Sequence, residues 1–142
     1  MYRIREVDGN DDGIADTLAD LHQSTFLDTA PVPQFDQGHW WLALHGTKPV
    51  GFAGIVASTH FVNAGYFCRV GVVGKHCGHR LQLRLMRAME ARARLNGWFS
   101  IVSDTTDNIP SANNFIRAGY CLFIPTQPWA WPNTLYWRKD MK

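Results

Sequence analysis

The chain predicts a mixed α/β (α+β) domain: a mostly antiparallel, twisted sheet with one helical crossover at its centre and helices flanking it. Three observations carry that prediction. Short β-branched and aromatic runs recur along the chain, separated by turn-forming clusters such as Gly46-Thr47-Lys48-Pro49 and Pro125–Pro132. A long amphipathic stripe over roughly 80–95 lies between two of these runs, as a strand–helix–strand crossover requires. The composition of the 142 residues, with six tryptophans and only 18% charged residues, fits a compact globular protein. A chain of that length buries about two-thirds of its unfolded surface, so a single domain over 1–142 is expected.

Each element has a local reason. Tyr2–Val7 alternates apolar and polar residues as a strand does, and Asn10-Asp11-Asp12 offers caps for a helix with the stripe Ile14, Leu18 and Leu21. Pro31 and Pro33 break periodicity between Phe26 and Gly38, which reads as irregular chain with room for a short helix. His39–His45 and Val50–Ser58 form a hairpin through residues 46–49, and Gly65–Val73 is the next strand. The helix over 80–95 turns Leu81, Leu85, Met86, Met89 and Ala93 to one side and Arg84, Arg87 and Arg94 to solvent, and Asn96-Gly97 stops it. Trp98–Ser103 is a strand and 110–118 a short helix ending at Gly119. Tyr120–Phe123 and Thr134–Arg138 close the sheet.

Several function classes are excluded or disfavoured. A formal charge of +2 is too small to indicate a nucleic-acid or membrane partner. No apolar run approaches the ~20 residues of a spanning helix, and the chain opens without a signal-peptide core, so the cytoplasm is the default location. Cys68, Cys77 and Cys121 form no C-x-x-C pair and read as reduced thiols. His76-Cys77-Gly78-His79 lacks the second cluster that a structural zinc site needs, so no metal is expected. His22, His39, His45 and His60 have no partner identifiable from the sequence.

Two segments carry chemistry. Residues 70–82 read Val-Gly-Val-Val-Gly-Lys-His-Cys-Gly-His-Arg-Leu-Gln, a β-branched run and then a basic, glycine-containing loop opening a helix. Orphan N–H groups and the positive end of the dipole make such a turn an anion site. Residues 107–120 read Asp-Asn-Ile-Pro-Ser-Ala-Asn-Asn-Phe-Ile-Arg-Ala-Gly-Tyr.

With these motifs in this element order, nearly the whole chain resembles the GNAT-type N-acetyltransferases. The resemblance implies acetyl-CoA as co-substrate and an acetyl group passed to a small-molecule or peptide amine. It implies that the strand backbone at Val70, Gly71 and Val72 pairs with the pantetheine arm. The family loop R/Q-x-x-G-x-G/A, aligned on Gly78, corresponds to Cys77-Gly78-His79-Arg80-Leu81-Gln82 and would wrap the pyrophosphate. In that alignment Cys77 replaces the usual arginine, and Arg80 and Gln82 replace small residues. The pattern N-x-x-A/S-x-x-x-Y-x-x-x-G-F/Y corresponds to Asn108, Ser111, Phe115, Gly119 and Tyr120. Asn108 would hold the pantetheine amide, with Ser111 and Phe115 on the helix lining the arm. Phenylalanine at 115 removes the hydroxyl with which many members protonate the departing thiolate.

The implied reaction is direct attack of a neutral amine on the thioester in a ternary complex. Asp104, just after the expected strand, is the candidate base, directly or through water; its alternative is a turn or cap aspartate. Tyr120 and Tyr136 are candidate proton donors, although strand aromatics usually belong to a core. Trp129 and Trp131 line an acceptor pocket or pack the loop. One of Trp40 and Trp41 is expected in the core, because consecutive strand residues face opposite ways. Arg80, Arg84 and Arg87 read as a solvated helix face. A non-catalytic acyl-CoA-binding or interaction module of the same fold is the alternative, with a nucleic-acid-associated factor behind it; a homodimer is left open.

Overall fold

The computed structural model describes residues 1–141, in the order β1 (Tyr2–Val7), α1 (Asp12–Phe26), β2 (His39–His45), β3 (Lys48–Ala57), β4 (Ala64–Val72), α2 (Leu81–Leu95), β5 (Ser100–Thr105), α3 (Ile109–Arg117), β6 (Cys121–Phe123) and β7 (Leu135–Asp140). Among the described residues the strands form one seven-stranded sheet, ordered β1-β2-β3-β4-β5-β7-β6. β4 and β5 run parallel, joined in sequence by α2, whereas β1–β2, β2–β3, β5–β7 and β6–β7 are antiparallel. The chain divides into two compact units: Met1–Val56 with Cys68–Met89, and Ala57–Phe67 with the chain from Glu90 onward. β4 and α2 each contribute residues to both.

In the first unit, Asp11 caps α1 by accepting the Ile14 N–H at 3.0 Å, one of the donors that a helix start leaves unpaired. The stripe then packs Leu18 and Leu21 into a core with Phe35, Trp40, Leu42, Leu44 and Phe52. Burying each such side chain contributes about 1.5–3 kcal/mol. Both Trp40 and Trp41 are buried, at 1% and 2% exposure, where one was expected inside. β2 buries five consecutive residues, so both of its faces are covered and alternation along it no longer separates inside from outside. Trp40 lies flat on Gly54, where any Cβ would stand 2.2 Å from the indole ring.

His22 is wholly buried and stacks on Phe26 with ring centroids 4.8 Å apart. Its Nε2 accepts from Arg69 Nε at 3.4 Å, which leaves the proton on Nδ1, and Nδ1 has no partner. Arg69 also donates to the Cys68 and Pro31 carbonyls and thereby ties β4 to the proline-containing segment. That segment, 27–38, contains turns and no helix.

In the second unit, Phe67, Ile101, Val102, Phe115, Tyr120, Tyr136 and Trp137 are buried, and Phe115 stacks on Trp137 at 5.5 Å. Asn108 caps α3 through its side chain, and Gly119 ends it in the left-handed region at φ +89°. Gly97, at φ +72°, closes α2 with Gly97 N–H bonding Arg94 and Trp98 N–H bonding Ala93. Because Trp98 completes that cap, β5 begins at Ser100 rather than at Trp98. Lys48 and Pro49, expected in the hairpin turn, already pair in β3, where the register shifts at Ala43/Leu44. Tyr120 precedes β6, since its N–H bonds Phe115 at the end of α3, and β7 extends to Asp140.

Burial, and then the nearby Arg69 charge, lower the His22 pKa below its ordinary value of 6.5. The unfolded chain therefore takes up this proton first, so the stability contributed by neutral His22 is complete above pH 6.5 and falls as pH drops through it. In urea unfolding, His22→Phe should lose less stability between pH 7.5 and 5.5 than the parent does. Parallel pH profiles for the two would contradict this assignment.

Candidate functional site

The basic loop belongs to the first unit. The Val73 N–H bonds Val50 O at 2.8 Å, so the chain leaves the sheet only after that residue. Gly74–His76 forms a single 3-10 turn, Cys77 is extended, and Gly78 and Arg80 both take positive φ, at +87° and +59°. Leu81 then opens α2, and the Arg84 N–H closes its first turn on Arg80 O at 3.0 Å. No atom lies within 4 Å of where a Gly78 Cβ would stand, so glycine is required here by conformation and not by crowding. Arg80 adopts the same left-handed conformation with a full side chain. That is the physical reason the second position of a G-x-G/A loop favours a small residue, and Arg80 carries it as strain.

Spacing within the loop pattern needs one correction. The basic position of R/Q-x-x-G lies three residues before the glycine, which is Lys75 and not Cys77. Cys77, Gly78, His79 and Arg80 are exposed, Gln82 is half-buried, and the Leu81 side chain is core at 2% exposure. In β4, Gly71 is buried where a Cβ would stand 2.4 Å from Thr25 Oγ1 and 2.8 Å from the Phe52 ring, while Val70 and Val72 are half-buried. Gly71 therefore has a packing role: it lets α1 approach the strand.

The second unit holds the carboxylate. Asp104 lies in β5 and not in a turn, and its Oδ2 accepts from Tyr66 Oη at 2.6 Å and from Trp129 Nε1 at 2.8 Å. Charge-assisted bonds of this kind hold a carboxylate in one orientation. Trp129 stacks on His60 at 4.3 Å and meets Tyr136 edge-on at 4.6 Å, and Tyr136 Oη accepts the Ala130 N–H. Phe61 and Phe123 complete the cluster at 6.0 and 6.4 Å from Trp129. Trp131 is 77% exposed and outside it. Sequence reasoning missed Tyr66 and His60; the only signal was that Tyr66 shares a strand face with the residues flanking it at i±2.

The 108–120 segment is placed differently from the expectation. Asn108 Oδ1 accepts the Ser111 N–H at 3.1 Å, so it serves as a helix cap. Ser111, Phe115 and Tyr120 are 7%, 2% and 5% exposed, packed into the core of this unit and not lining an open face. Burial, and then the charge of Glu90, push the Tyr120 hydroxyl well above its usual pKa and keep it protonated. At Cys68, burial dominates and raises the thiol to about 11. Among the described residues no group of three or more His, Cys, Asp or Glu could hold a metal ion, and no helix is long and apolar enough to cross a membrane.

The model of the acetyltransferase (GNAT) family matches residues 12–120. No curated protein matches the chain. Among solved structures, a candidate acyl-CoA N-acyltransferase from Klebsiella pneumoniae subsp. pneumoniae is 26% identical with a TM-score of 0.72, over 100% of this chain and 99% of that one. Aminoglycoside 6′-acetyltransferase type Ii is 17% identical with a TM-score of 0.79, over 99% and 97%. An aminoglycoside 6′-N-acetyltransferase complexed with coenzyme A is 15% identical with a TM-score of 0.77, over the same shares. The latter two are likenesses of fold. The family match spans β4, the basic loop and α2 as well as β5 and α3. The chain belongs to the acetyltransferase (GNAT) family, whose co-substrate is acetyl-CoA.

Proposed function

We propose that this protein is an N-acetyltransferase that passes the acetyl group of acetyl-CoA to a primary amine by direct attack in a ternary complex. The observation that supports the acceptor half is Asp104: its Oδ2 accepts from both Tyr66 and Trp129, while among the described residues Oδ1 accepts no hydrogen bond. A carboxylate held this way can take a proton from an incoming ammonium at its free oxygen, directly or through one water. The neutral amine nitrogen then bonds to the thioester carbon, the carbon–sulfur bond breaks and the thiolate leaves, and the nitrogen gives its second proton to water to leave the neutral amide. The rings around Trp129 suit a cationic acceptor, since aromatic faces attract ammonium groups. Acetylation of amines is also what the aminoglycoside 6′-N-acetyltransferase is named for.

The donor half is assigned to main-chain groups of 70–72 and of the loop from Lys75 to Gln82. Lys75 supplies the charge that the family pattern places there. Phe115 and Tyr120 are assigned to packing, so the thiolate takes its proton from water; a thiol with a pKa near ~8.5 leaves without much assistance.

The reading as a whole is tested by thermal shift with acetyl-CoA, followed by thiol release over an amine panel. Stabilisation together with turnover of at least one amine is expected. Binding without turnover would instead favour the non-catalytic module. Gly78→Val forces a β-branched residue to φ +87° and should weaken CoA binding at a cost of about 1–3 kcal/mol; unchanged affinity would remove the loop from the site. Arg80→Gly relieves strain at φ +59° and should unfold at an equal or higher temperature than the parent, whereas Arg80→Ala should gain nothing. Asp104→Asn should lower kcat by about 10²-fold or more while leaving CoA affinity intact, with the larger loss below the amine's own pKa. A loss confined to thermal stability would instead make Asp104 a structural anchor.

A further inference from the structure

Around Tyr2 the first unit gathers positive charge with no counter-charge. Tyr2 Oη hydrogen-bonds His76 Nδ1 at 2.9 Å, and its ring lies 4.8 Å from His45 and 4.9 Å from His79; His45 and His76 are 5.2 Å apart. Arg84 Nη2, from the first turn of α2, donates to Tyr2 O, and Arg3 on the same strand reaches Gly46 O at 3.5 Å. Lys48 at the start of β3 and Lys75 in the 3-10 turn lie close enough to act on His76 electrostatically. Among the described residues no carboxylate is within ion-pair distance of any of these groups. Two of the three histidines, 76 and 79, belong to the loop assigned above to the CoA phosphates. A cluster of titratable bases facing fixed cations is an anion site that is incomplete until it is protonated.

We infer that His76, in the cluster it forms with Tyr2, His45 and His79, couples phosphate binding at this loop to proton uptake, so that the protein holds acyl-CoA more tightly as pH falls through the neutral range. The inference rests on the CoA reading above and adds a regulatory property to it. In the free protein, partial burial and the charges of His45, Lys48, Lys75 and His79 hold His76 below its ordinary pKa, so it is largely neutral at pH 7 and above. A bound phosphate reverses that balance and favours the imidazolium form. The proton taken up comes from water or buffer acid, whose bond to it breaks as an N–H bond forms at a ring nitrogen; no bond between heavier atoms changes. By linkage, each proton fully taken up changes Kd by about tenfold per pH unit, and partial uptake by less. The effect fades once pH is low enough to protonate His76 without ligand.

The test is calorimetric titration of the full chain with CoA at pH 6.5, 7.0 and 8.0, repeated at pH 7.0 in two buffers of different ionisation enthalpy. Net proton uptake at pH 7.0 is expected, with Kd roughly threefold or more tighter at pH 6.5 than at 8.0. His45→Gln/His76→Gln/His79→Gln should abolish the uptake and flatten the pH profile, and His76→Gln alone should reduce both if the triple variant does not fold. Inorganic phosphate and dephospho-CoA, titrated in the same way, separate a general phosphate response from one tied to the 3′-phosphate. CoA binding without proton uptake, or uptake that survives in the folded variants, would overturn this inference and leave the CoA reading standing. Absence of CoA binding at every pH would overturn both.

Discussion

The parallel ladder between β4 and β5 is three pairs long, from Ala64–Ser100 to Tyr66–Val102, and the setting of Asp104 depends on it, because it fixes Tyr66 beside the strand that carries the carboxylate. The next link is a side chain: Ser103 Oγ donates to Phe67 O at 2.7 Å in a buried setting, standing in for a backbone partner. β5 is held from its other side by β7, up to Thr105–Leu135. The last residues of β5 carry Asp104, which is oriented by a tyrosine from β4 and a tryptophan from the β6–β7 loop.

The two units divide the electrostatics. The first presents Lys75, His76, His79 and Arg80 on a loop that, among the described residues, has no carboxylate in ion-pair range, next to the positive end of α2. The second presents one anchored carboxylate among aromatic rings. In the function proposed above, these opposite charges would suit a phosphate-bearing donor and a cationic acceptor respectively. Outside these places polar side chains serve the fold: Asn108 caps α3, and Lys139 binds Glu90 at 2.8 Å and the Ala118 carbonyl at 2.7 Å. The latter secures the end of α3 through a half-buried ion pair.

Backbone conformation separates the loop's two left-handed residues. Gly78 adopts its conformation at no steric cost, whereas Arg80 holds φ +59° against the preference of every residue with a Cβ. The strain persists because Arg80 O receives the first helical bond of α2 and the helix behind it is fixed by Leu81, Leu85, Met86 and Met89. A well-packed helix therefore sets the loop's geometry, and the loop sequence has room to vary.

Local chemistry made most of the elements readable. The Asp11 cap, the Leu18–Leu21 stripe, the core face of α2 and the glycine stops at 97 and 119 all follow from side-chain spacing and backbone freedom over a few residues, so the sequence determined them by itself. The basic loop was legible for the same reason. What only the tertiary structure decided are the relations between residues far apart in the chain. Both tryptophans of β2 are buried because both faces of that strand are covered, Trp40 by Leu18 and Leu21 of α1 among others; Gly71 must be glycine because Thr25 and Phe52 cross it; and Phe115 and Tyr120 are core because Trp137 and Lys139 cover them. Asp104 could be named from sequence, but its role as a held carboxylate comes from Tyr66, 38 positions earlier, and Trp129, 25 positions later. Periodicity reports a residue's own element, whereas burial and hydrogen bonding are set by whatever the fold brings against it.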